Sequence, residues 1–302
     1  MQIISGTTDF LLQGASAVAI GKFDGMHRGH KALLSEILEA KKRGLQAVVF
    51  TFDPPPAVLF SGKAVKGLTT REEKRRLFRQ IGIDVLIEFP LTFQTAAISP
   101  EDFLRVIVQE QIRAKLVAAG TDLSFGDRGL GDCKLLKARA EAYGYEVKII
   151  DKVLEDGEEI SSTRVRQAVE AGKMQEAARL LGAPYAVMGT VVHGRQLGRT
   201  IGFPTVNLMP PADKLLPPNG VYRSEVECSS GVFKGLTNVG VKPTVEHGPP
   251  MSVETYIYDF SEDIYDSFIT VRLLTFERPE QKFADVEELK EQLQRDIVAG
   301  AR

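Results

Sequence analysis

The sequence predicts an α/β domain with a parallel sheet, followed by a small antiparallel β-barrel domain with a C-terminal helix. Up to about residue 150, apolar runs typical of buried strands alternate with helical patterns, which is the rhythm of βαβ units. From Tyr185 onward, short β-type runs separated by Pro- and Gly-rich turns dominate, and an amphipathic helix is predicted over 285–298. We therefore place the domain boundary at residue 183, which gives domains of residues 1–183 and 184–302.

Four apolar runs predict the strands of the first domain: 17–20, 47–52, 83–88 and 115–119. The spacing of apolar residues also predicts helices over 31–44 and 71–82. The segment that begins at Ser99 has the Ser, Pro and acidic residues of a helix N-terminus. Right-handed βαβ units of this kind give a mainly parallel sheet with helices on both faces.

Composition favours an ordinary globular protein without nucleic-acid or membrane partners. The 302 residues have a net charge of −2, whereas an extended nucleic-acid interface needs a strong basic excess. The two cysteines match no metal-ligand spacing, no apolar run has membrane-spanning length, and the N-terminus shows no signal pattern. The sequence therefore predicts a cytoplasmic protein, and its self-association cannot be read from the sequence.

Three loops leave the carboxyl ends of predicted strands: 21–30, 52–56 and 120–132. In parallel sheets ligands bind beyond these ends, so the three loops are expected to converge on one site. The first loop contains His27 and His30, two of only four histidines in the chain. A strand, a glycine-rich turn and a helix hold phosphate groups through backbone N–H groups and the helix dipole. The alternative is an ordinary loop with incidental histidines.

Two further segments of the first domain carry candidate ligand-binding residues. Loop 120–132 is long and glycine-rich, and Phe125 among its glycines argues against the alternative, a disordered connector. Ser161–Thr163 open a predicted helix whose hydroxyl groups can bind phosphate oxygens, and Arg166 follows one turn later. Such a hydroxyl cluster alone is usually only a helix cap. Together with the histidine loop it predicts a polyphosphate held from two sides.

In the second domain, three glycines lie close together within residues 193–207: Gly194, Gly198 and Gly202. They allow the backbone to approach an anion closely, although their spacing is not that of a P-loop. The alternative is a tight β-turn followed by a capping residue.

Oxygen-bearing residues of the second domain predict a metal and a general base. Thr205 and Asn207 are two apart in an extended segment, so they face the same way and offer neutral oxygens that suit Mg²⁺ with phosphate and water ligands. Glu254 lies in a predicted strand, where an acid is usually a solvated surface group. It becomes a candidate general base for a hydroxyl substrate if the segment of Thr205 and Asn207 lies beside it.

Several motifs, taken in this order, resemble those of the prokaryotic bifunctional FAD synthetases, and the resemblance runs from Gly21 to Arg302. Residues 21–30 and 160–166 match the two motifs of a nucleotidyltransferase domain. Three segments resemble riboflavin kinase signatures: 202–207, 238–244 and 278–283. The resemblance implies a Rossmann-like nucleotidyltransferase domain that transfers AMP from ATP to FMN. It also implies a barrel domain that phosphorylates riboflavin with ATP and Mg²⁺.

The resemblance also implies site residues in the first domain. ATP would be bound by nine residues: Gly21, Phe23, Asp24, Gly25, His27, His30, Ser162, Thr163 and Arg166. Of these, His27, His30 and Arg166 would act catalytically, by stabilising the α-phosphate and the leaving pyrophosphate. Asp122 and Phe125 stand at positions that would contact the isoalloxazine ring of the flavin.

In the second domain the resemblance implies that six residues bind ATP: Gly194, Gly198, Arg199, Gly202, Pro204 and Thr205. Thr205 and Asn207 would hold Mg²⁺, Glu254 would be the catalytic base, and Arg278 would contact the flavin.

The chain departs from the family pattern at three notable positions. Pro55 and Tyr256 each stand where the family usually has His, and Asp266 stands where Gly is common. The first two favour one rival interpretation, a flavin-binding module that has lost catalysis. A second rival, a nucleotidyltransferase for a pantetheine or nicotinate nucleotide, is disfavoured by the residues of the predicted kinase site, because such enzymes lack this barrel.

Overall fold

The computed structural model describes residues 1–62, 65–194, 202–241, 251–281 and 283–300. The chain forms two compact units, residues 1–161 and 162–302. The second unit therefore includes the two helices that precede residue 183. The division of function at residue 183 stays a prediction.

The first unit contains a six-stranded parallel sheet in the order β1-β4-β3-β2-β5-β6. Its strands are β1 (Gln2–Ser5), β2 (Ser16–Ile20), β3 (Gln46–Asp53), β4 (Val85–Pro90), β5 (Ala114–Gly120) and β6 (Glu146–Ile150). A small hairpin follows, formed by β7 (Leu154–Glu155) and β8 (Glu158–Glu159). The predicted parallel sheet is confirmed, and it contains two strands, β1 and β6, that were not predicted from the sequence.

The helices of the first unit are α1 (Arg28–Lys41), α2 (Pro56–Ser61), α3 (Arg71–Gln80), α4 (Phe93–Ala96), α5 (Pro100–Asp102), α6 (Cys133–Ala138) and α7 (Ala140–Tyr143). A π-helix, Phe103–Gln111, continues α5, and a single 3₁₀ turn covers Asp127–Gly129. Ser99 caps α5 as predicted, since its side chain accepts a hydrogen bond from the backbone N–H of Asp102. Helix α1 begins three residues earlier than the predicted 31–44, which places His30 in its first turn.

The central strand β2 is buried along its whole length, which explains its continuous apolar sequence. Its alternate side chains enter two separate cores. Val18 and Ile20 join the core formed with the π-helix, and Ala17 and Ala19 join the core formed with α1. The sheet is therefore covered on both faces, and ligands can reach it only at its edges and strand ends.

The second unit begins with helices α8 (Ser162–Glu170) and α9 (Met174–Leu181) and ends with α10 (Val286–Gly300). Its strands are β9 (Tyr185–Thr190), β10 (Thr205–Leu208), β11 (Gly220–Cys228), β12 (Gly231–Val241), β13 (Met251–Ile257) and β14 (Phe268–Pro279). They form an antiparallel sheet in the order β10-β13-β12-β11-β14-β9. The N–H of Val192, just after β9, donates to the carbonyl of Asn207 in β10, so the two edges of the sheet meet as in a barrel.

Candidate active sites

The loop between β2 and α1 is held in one conformation by backbone geometry and by a neighbouring segment. Phe23 and Gly25 have φ angles of 49° and 82°, in the left-handed region. Thr69 fastens the loop, because its N–H donates to Asp24 Oδ1 at 3.2 Å and its Oγ1 accepts from the Gly25 N–H at 3.3 Å. The N–H of Gly21 donates to the carbonyl of Phe50 at 3.1 Å. The loop is therefore rigid where it enters α1.

The two histidines stack on each other at the start of α1. Their ring centroids are 3.7 Å apart, and His27 Nδ1 accepts from the His30 N–H at 3.3 Å. His27 Nδ1 is thus the acceptor, so the neutral ring carries its proton on Nε2 and can donate there. A Cβ atom on Gly29 would lie 3.2 Å from the His27 ring, which leaves little room for any other residue.

Burial keeps both histidines neutral. His27 is only 7% exposed, and burial, helped by Lys152 and opposed by Asp122, lowers its pKa to about 4. Burial, the neighbouring His27 and two lysines, Lys74 and Lys152, lower the pKa of His30 well below its usual value. At neutral pH the pair therefore offers hydrogen-bond donors and acceptors rather than positive charge.

Charged residues that follow other strands of the sheet lie near the histidines and affect their pKa values. Lys152, which follows β6, forms an ion pair with Asp122, which follows β5. On the other side, Glu88 at the end of β4 is 3% exposed and pairs with Arg71 and Arg75 of α3 at 2.5 and 2.6 Å. Burial alone would raise the pKa of Glu88, but the hydrogen bonds from both arginines hold it below its usual value.

Loop 120–132 is tied down rather than being an unstructured connector. Phe125 and Gly131 exchange backbone hydrogen bonds of 3.0 and 2.8 Å. The Phe125 side chain is 3% exposed, packs against Phe103 with ring centroids 5.2 Å apart, and would contact a Cβ on Gly131 at 2.4 Å. The ring thus belongs to the core and shapes the loop. Its contact with a flavin stays a prediction, as does that of Asp122.

The predicted hydroxyl cluster does begin a helix. Ser162 and Thr163 are the first residues of α8, and Arg166 follows one turn later. Ser162 and Arg166 are half-buried, and Thr163 is exposed. These residues belong to the second compact unit and the histidine loop to the first. That the hydroxyl cluster and the histidine loop bind one polyphosphate together stays a prediction.

In the barrel, the candidate base and a candidate metal ligand are direct neighbours. Asn207 of β10 is paired in register with Glu254 of β13, and Glu254 is paired on its other side with Asn238 of β12. Side chains directly opposite each other on neighbouring strands share a face and lie about 5 Å apart at Cβ. From the sequence, Glu254 was a candidate general base only if the segment of Thr205 and Asn207 lay beside it. The structure meets that condition.

A cavity of about 400 Å³ opens beside the same strands. Pro204 and Thr205 line it together with apolar side chains from Val191, Ile257 and Ile264. Thr205 is paired in register with Tyr256, two residues after Glu254. The cavity therefore adjoins the row of Asn207, Glu254 and Asn238, which we call the carboxamide row.

The predicted glycine loop is described only at its ends. A Cβ on Gly194 would lie 2.6 Å from Asn207 Nδ2, so glycine is needed for the chain to pass this side chain. Gly202 has a φ of 88°. The predicted ATP-binding residues Gly198 and Arg199 lie outside the described residues.

The remaining predicted residue, Arg278, is held within the barrel unit. Its guanidinium pairs with Asp296 of α10 at 2.5 Å, which fastens the C-terminal helix to β14. A contact between Arg278 and the flavin stays a prediction. Asp266, at the position where glycine is common in the family, has a φ of 58°, a conformation that Asp tolerates better than most residues.

Thr205 and Asn207 are the predicted ligands of Mg²⁺, and Glu254 lies beside Asn207 on the neighbouring strand. Among the described residues no group of three or more His, Cys, Asp or Glu side chains could hold a metal ion. Neutral oxygens with one nearby carboxylate fit a hard cation that keeps phosphate and water ligands. The donor set therefore fits a magnesium ion that accompanies ATP.

Several charged residues of the first domain were not predicted from the sequence. Lys74 and Lys152 act on the histidines, Glu88 pairs with two arginines of α3, and none of these residues belongs to a recognised motif. Nothing in their local sequence distinguishes them from ordinary surface charges, because only the sheet order brings them together.

Comparisons with known proteins match both parts of the chain. The model of the FAD synthetase family matches residues 11–164, and that of the riboflavin kinase family matches residues 181–302. A bifunctional riboflavin kinase/FMN adenylyltransferase of Listeria monocytogenes is 38% identical over 293 residues, covering 96% of this chain and 93% of that protein. The protein of the same name from Escherichia coli strain K12 is 39% identical over 287 residues, covering 94% of this chain and 91% of its own.

A solved structure from Streptococcus pneumoniae, named a macrolide-efflux protein, matches with a TM-score of 0.85 and 32% identity. The match covers 99% of this chain and 98% of that one. The name belongs to the pneumococcal protein, and what the two chains share is the fold over nearly their whole length. In the described part of this chain, no helix has the length and apolar character needed to cross a membrane.

Proposed function

The chain belongs to the family of bifunctional riboflavin kinases/FMN adenylyltransferases, and we propose that two separate sites divide the two reactions. ATP-dependent phosphorylation converts riboflavin to FMN, and transfer of AMP from ATP to FMN then gives FAD and pyrophosphate. We assign phosphorylation to the barrel domain, 184–302, and AMP transfer to the preceding domain, 1–183. The observation that carries this assignment is the register that puts Asn207 beside Glu254.

In the kinase reaction Glu254 acts as the general base. Its carboxylate takes the proton of a ribityl hydroxyl, and the oxygen attacks the γ-phosphorus of ATP while the bond to ADP breaks. Thr205 and Asn207 hold Mg²⁺, which neutralises phosphate charge when it is bound. The close passage of Gly194 fixes the Asn207 side chain, which is itself 5% exposed.

The cavity beside the carboxamide row is our candidate for the nucleotide of the kinase reaction. Apolar side chains form much of its wall, Ser261, Glu262 and Asp263 also line it, and Pro204 and Thr205 connect it to the row. Phosphates that extend from this cavity toward Thr205 would bring the γ-phosphate to the hydroxyl that Glu254 deprotonates. This agrees with the predicted ATP-binding role of Gly202, Pro204 and Thr205.

AMP transfer needs no general base, because the phosphate of FMN is already an anion. Its oxygen attacks the α-phosphorus of ATP, and pyrophosphate leaves with the bonding electron pair. Neutral His27 and His30 donate hydrogen bonds at the start of α1, where backbone N–H groups and the helix dipole also favour anions. Preorganised donors of this kind stabilise the charge that develops on the phosphates.

The test is the substitution His30→Ala in the full chain. Incubated with riboflavin, ATP and Mg²⁺, the variant is expected to form FMN at the rate of the unaltered protein and no detectable FAD. Chromatographic separation of the flavins measures both products. Simultaneous loss of both products in a variant with unchanged thermal stability would show that the two reactions do not use separate sites.

The unaltered protein is the control, and it also decides between the rival interpretations. FMN followed by FAD supports the proposal, whereas flavin binding without any product would indicate a module that has lost catalysis. FMN alone would indicate that the first domain does not transfer AMP.

A further inference from the structure

Helix α3 carries three cations, Arg71, Lys74 and Arg75, toward the carboxyl ends of β3 and β4. Both arginines are neutralised there by the buried Glu88, and Arg71 also pairs with Asp53 at 3.0 Å. These two cations and two carboxylates form a closed ionic cluster. The cluster fixes the orientation of α3 relative to the sheet.

Lys74 differs from its two neighbours on the helix. Among the described residues the only hydrogen bond of its ammonium group goes to the backbone carbonyl of Lys22, at 3.3 Å, and no carboxylate lies within ion-pair distance. Burial lowers the pKa of Lys74 even though Asp24, Glu88 and Asp53 attract its charge from farther away. The ammonium group of Lys74, which has hydrogen-bond donors that no described protein group uses, therefore lies beside the loop that precedes α1.

The position of Lys74 relative to the histidines follows from the sheet order. Strands β3 and β4 lie on one side of β2, and β5 and β6 lie on the other. Lys74 acts on His30 from the first side, and Lys152 acts on both histidines from the second. Lys152 is already paired with Asp122. Of these two lysines beside the histidines, only Lys74 has no direct anionic partner in the described part of the chain.

We propose that Lys74 binds a phosphate group of the substrates during AMP transfer, completing the anion site formed by the histidines and the start of α1. This inference rests on the proposed function of the first domain. The new bond joins the FMN phosphate oxygen to the α-phosphorus, and the broken bond leaves its electron pair on pyrophosphate. No proton is needed, so Lys74 contributes charge and hydrogen bonds and remains protonated throughout.

The test compares Lys74→Gln with Arg79→Gln, which removes one positive charge from an exposed position of the same helix. With FMN and ATP supplied to the full chain, kcat/KM for FAD formation should fall about 10- to 100-fold for Lys74→Gln. It should change less than about twofold for Arg79→Gln. Lys74→Arg, which keeps the charge, should recover activity to within about tenfold of the unaltered protein.

Two further measurements separate substrate contact from a structural role. FMN formation from riboflavin and the melting temperature should be unchanged in Lys74→Gln. A rise in KM for ATP alone would place the contact on the nucleotide phosphates, and a rise in KM for FMN alone would place it on the flavin phosphate; either supports the proposal. A fall in kcat alone supports it too, because it places the contact in the transition state.

The proposal is overturned if Lys74→Gln keeps full activity, or if its loss of activity comes with a lowered melting temperature and is not recovered by Lys74→Arg. The proposed function fails in a different way, since the unaltered protein would then form no FAD from FMN.

Discussion

The two candidate sites handle phosphate groups with opposite arrangements of charge. In the first domain, neutral histidines at the start of α1 have a lysine on either side, Lys74 and Lys152. In the barrel, one carboxylate, Glu254, lies between two carboxamides, Asn207 and Asn238. Two lysines therefore lie near the histidines of the first site, whereas the candidate general base, Glu254, lies in the barrel.

The difference follows from the nucleophile that each reaction uses. The FMN phosphate is an anion before the reaction starts, so the first site needs only hydrogen-bond donors and cations that stabilise negative charge. A ribityl hydroxyl must lose a proton as it attacks, so the second site needs a base. A carboxylate beside a triphosphate is repulsive, and a metal held by neutral oxygens offsets that repulsion.

The largest expected effect comes from removing that base. Glu254→Gln keeps the size and the strand pairing of the residue but cannot accept the proton. We expect kcat for FMN formation to fall about 10³-fold, within the range usual for general bases. The measurement is the initial rate of FMN formation from riboflavin and ATP.

The control for Glu254→Gln is FAD formation from supplied FMN, which should not change. If both rates fell together while the melting temperature stayed constant, the contrast between the two sites would be wrong. If FMN formation persisted, Glu254 would not be the base.

The fold was largely predictable because its signals are local. The buried strand β2 is a continuous apolar run, and the run predicted over 115–119 lies within β5, Ala114–Gly120. Strand β1 escaped prediction because four residues, Gln2–Ser5, carry no clear pattern and are fixed mainly by pairing with β4. Short edge strands depend on their partner more than on their own sequence.

The candidate sites were predictable only where a motif marked them. Asn207 and Glu254 are adjacent because β10 pairs with β13, a long-range choice that no local pattern reveals. Lys74 can be recognised as a candidate only from the structure, which shows that Glu88 pairs with Arg71 and Arg75 on the same helix. Phe125, which was expected to contact the flavin, packs into the core, and its contact with a flavin stays a prediction.

A smaller effect, on the pH dependence of stability, should show that His27 is buried and neutral in the folded protein. The pKa of His27 is about 4 in the folded protein, whereas a free histidine has a pKa near 6.5. As pH falls below about 6.5, the unfolded chain takes up a proton at this position before the folded chain does, so stability is lost. Between pH 7 and pH 4.5 this residue should cost the first unit about 2–3 kcal/mol.

The variant His27→Asn, which keeps a helix-capping side chain, tests this expectation. Because the chain contains no tryptophan, unfolding in urea is followed by circular dichroism. The variant should lose less stability than the unaltered protein between the two pH values. Equal losses in both proteins would mean that His27 is protonated in the folded state, and the first site would then not present neutral histidines.

The smallest expected effect concerns the room that Gly194 leaves for Asn207. In Gly194→Ala the new Cβ would lie 2.6 Å from Asn207 Nδ2, which is too close for both atoms to stay in place. The strand of Asn207 is paired on both sides, so the Asn207 side chain has to move. We expect kcat/KM for FMN formation to fall about tenfold, since small displacements of positioning groups reduce rates strongly. The matched control is Gly189→Ala in β9, where the Cβ would meet Leu208 at an ordinary 3.5 Å. If both variants were equally active, the position of Asn207 would not matter for FMN formation. Of the carboxamide row, only Glu254 would then keep a proposed role.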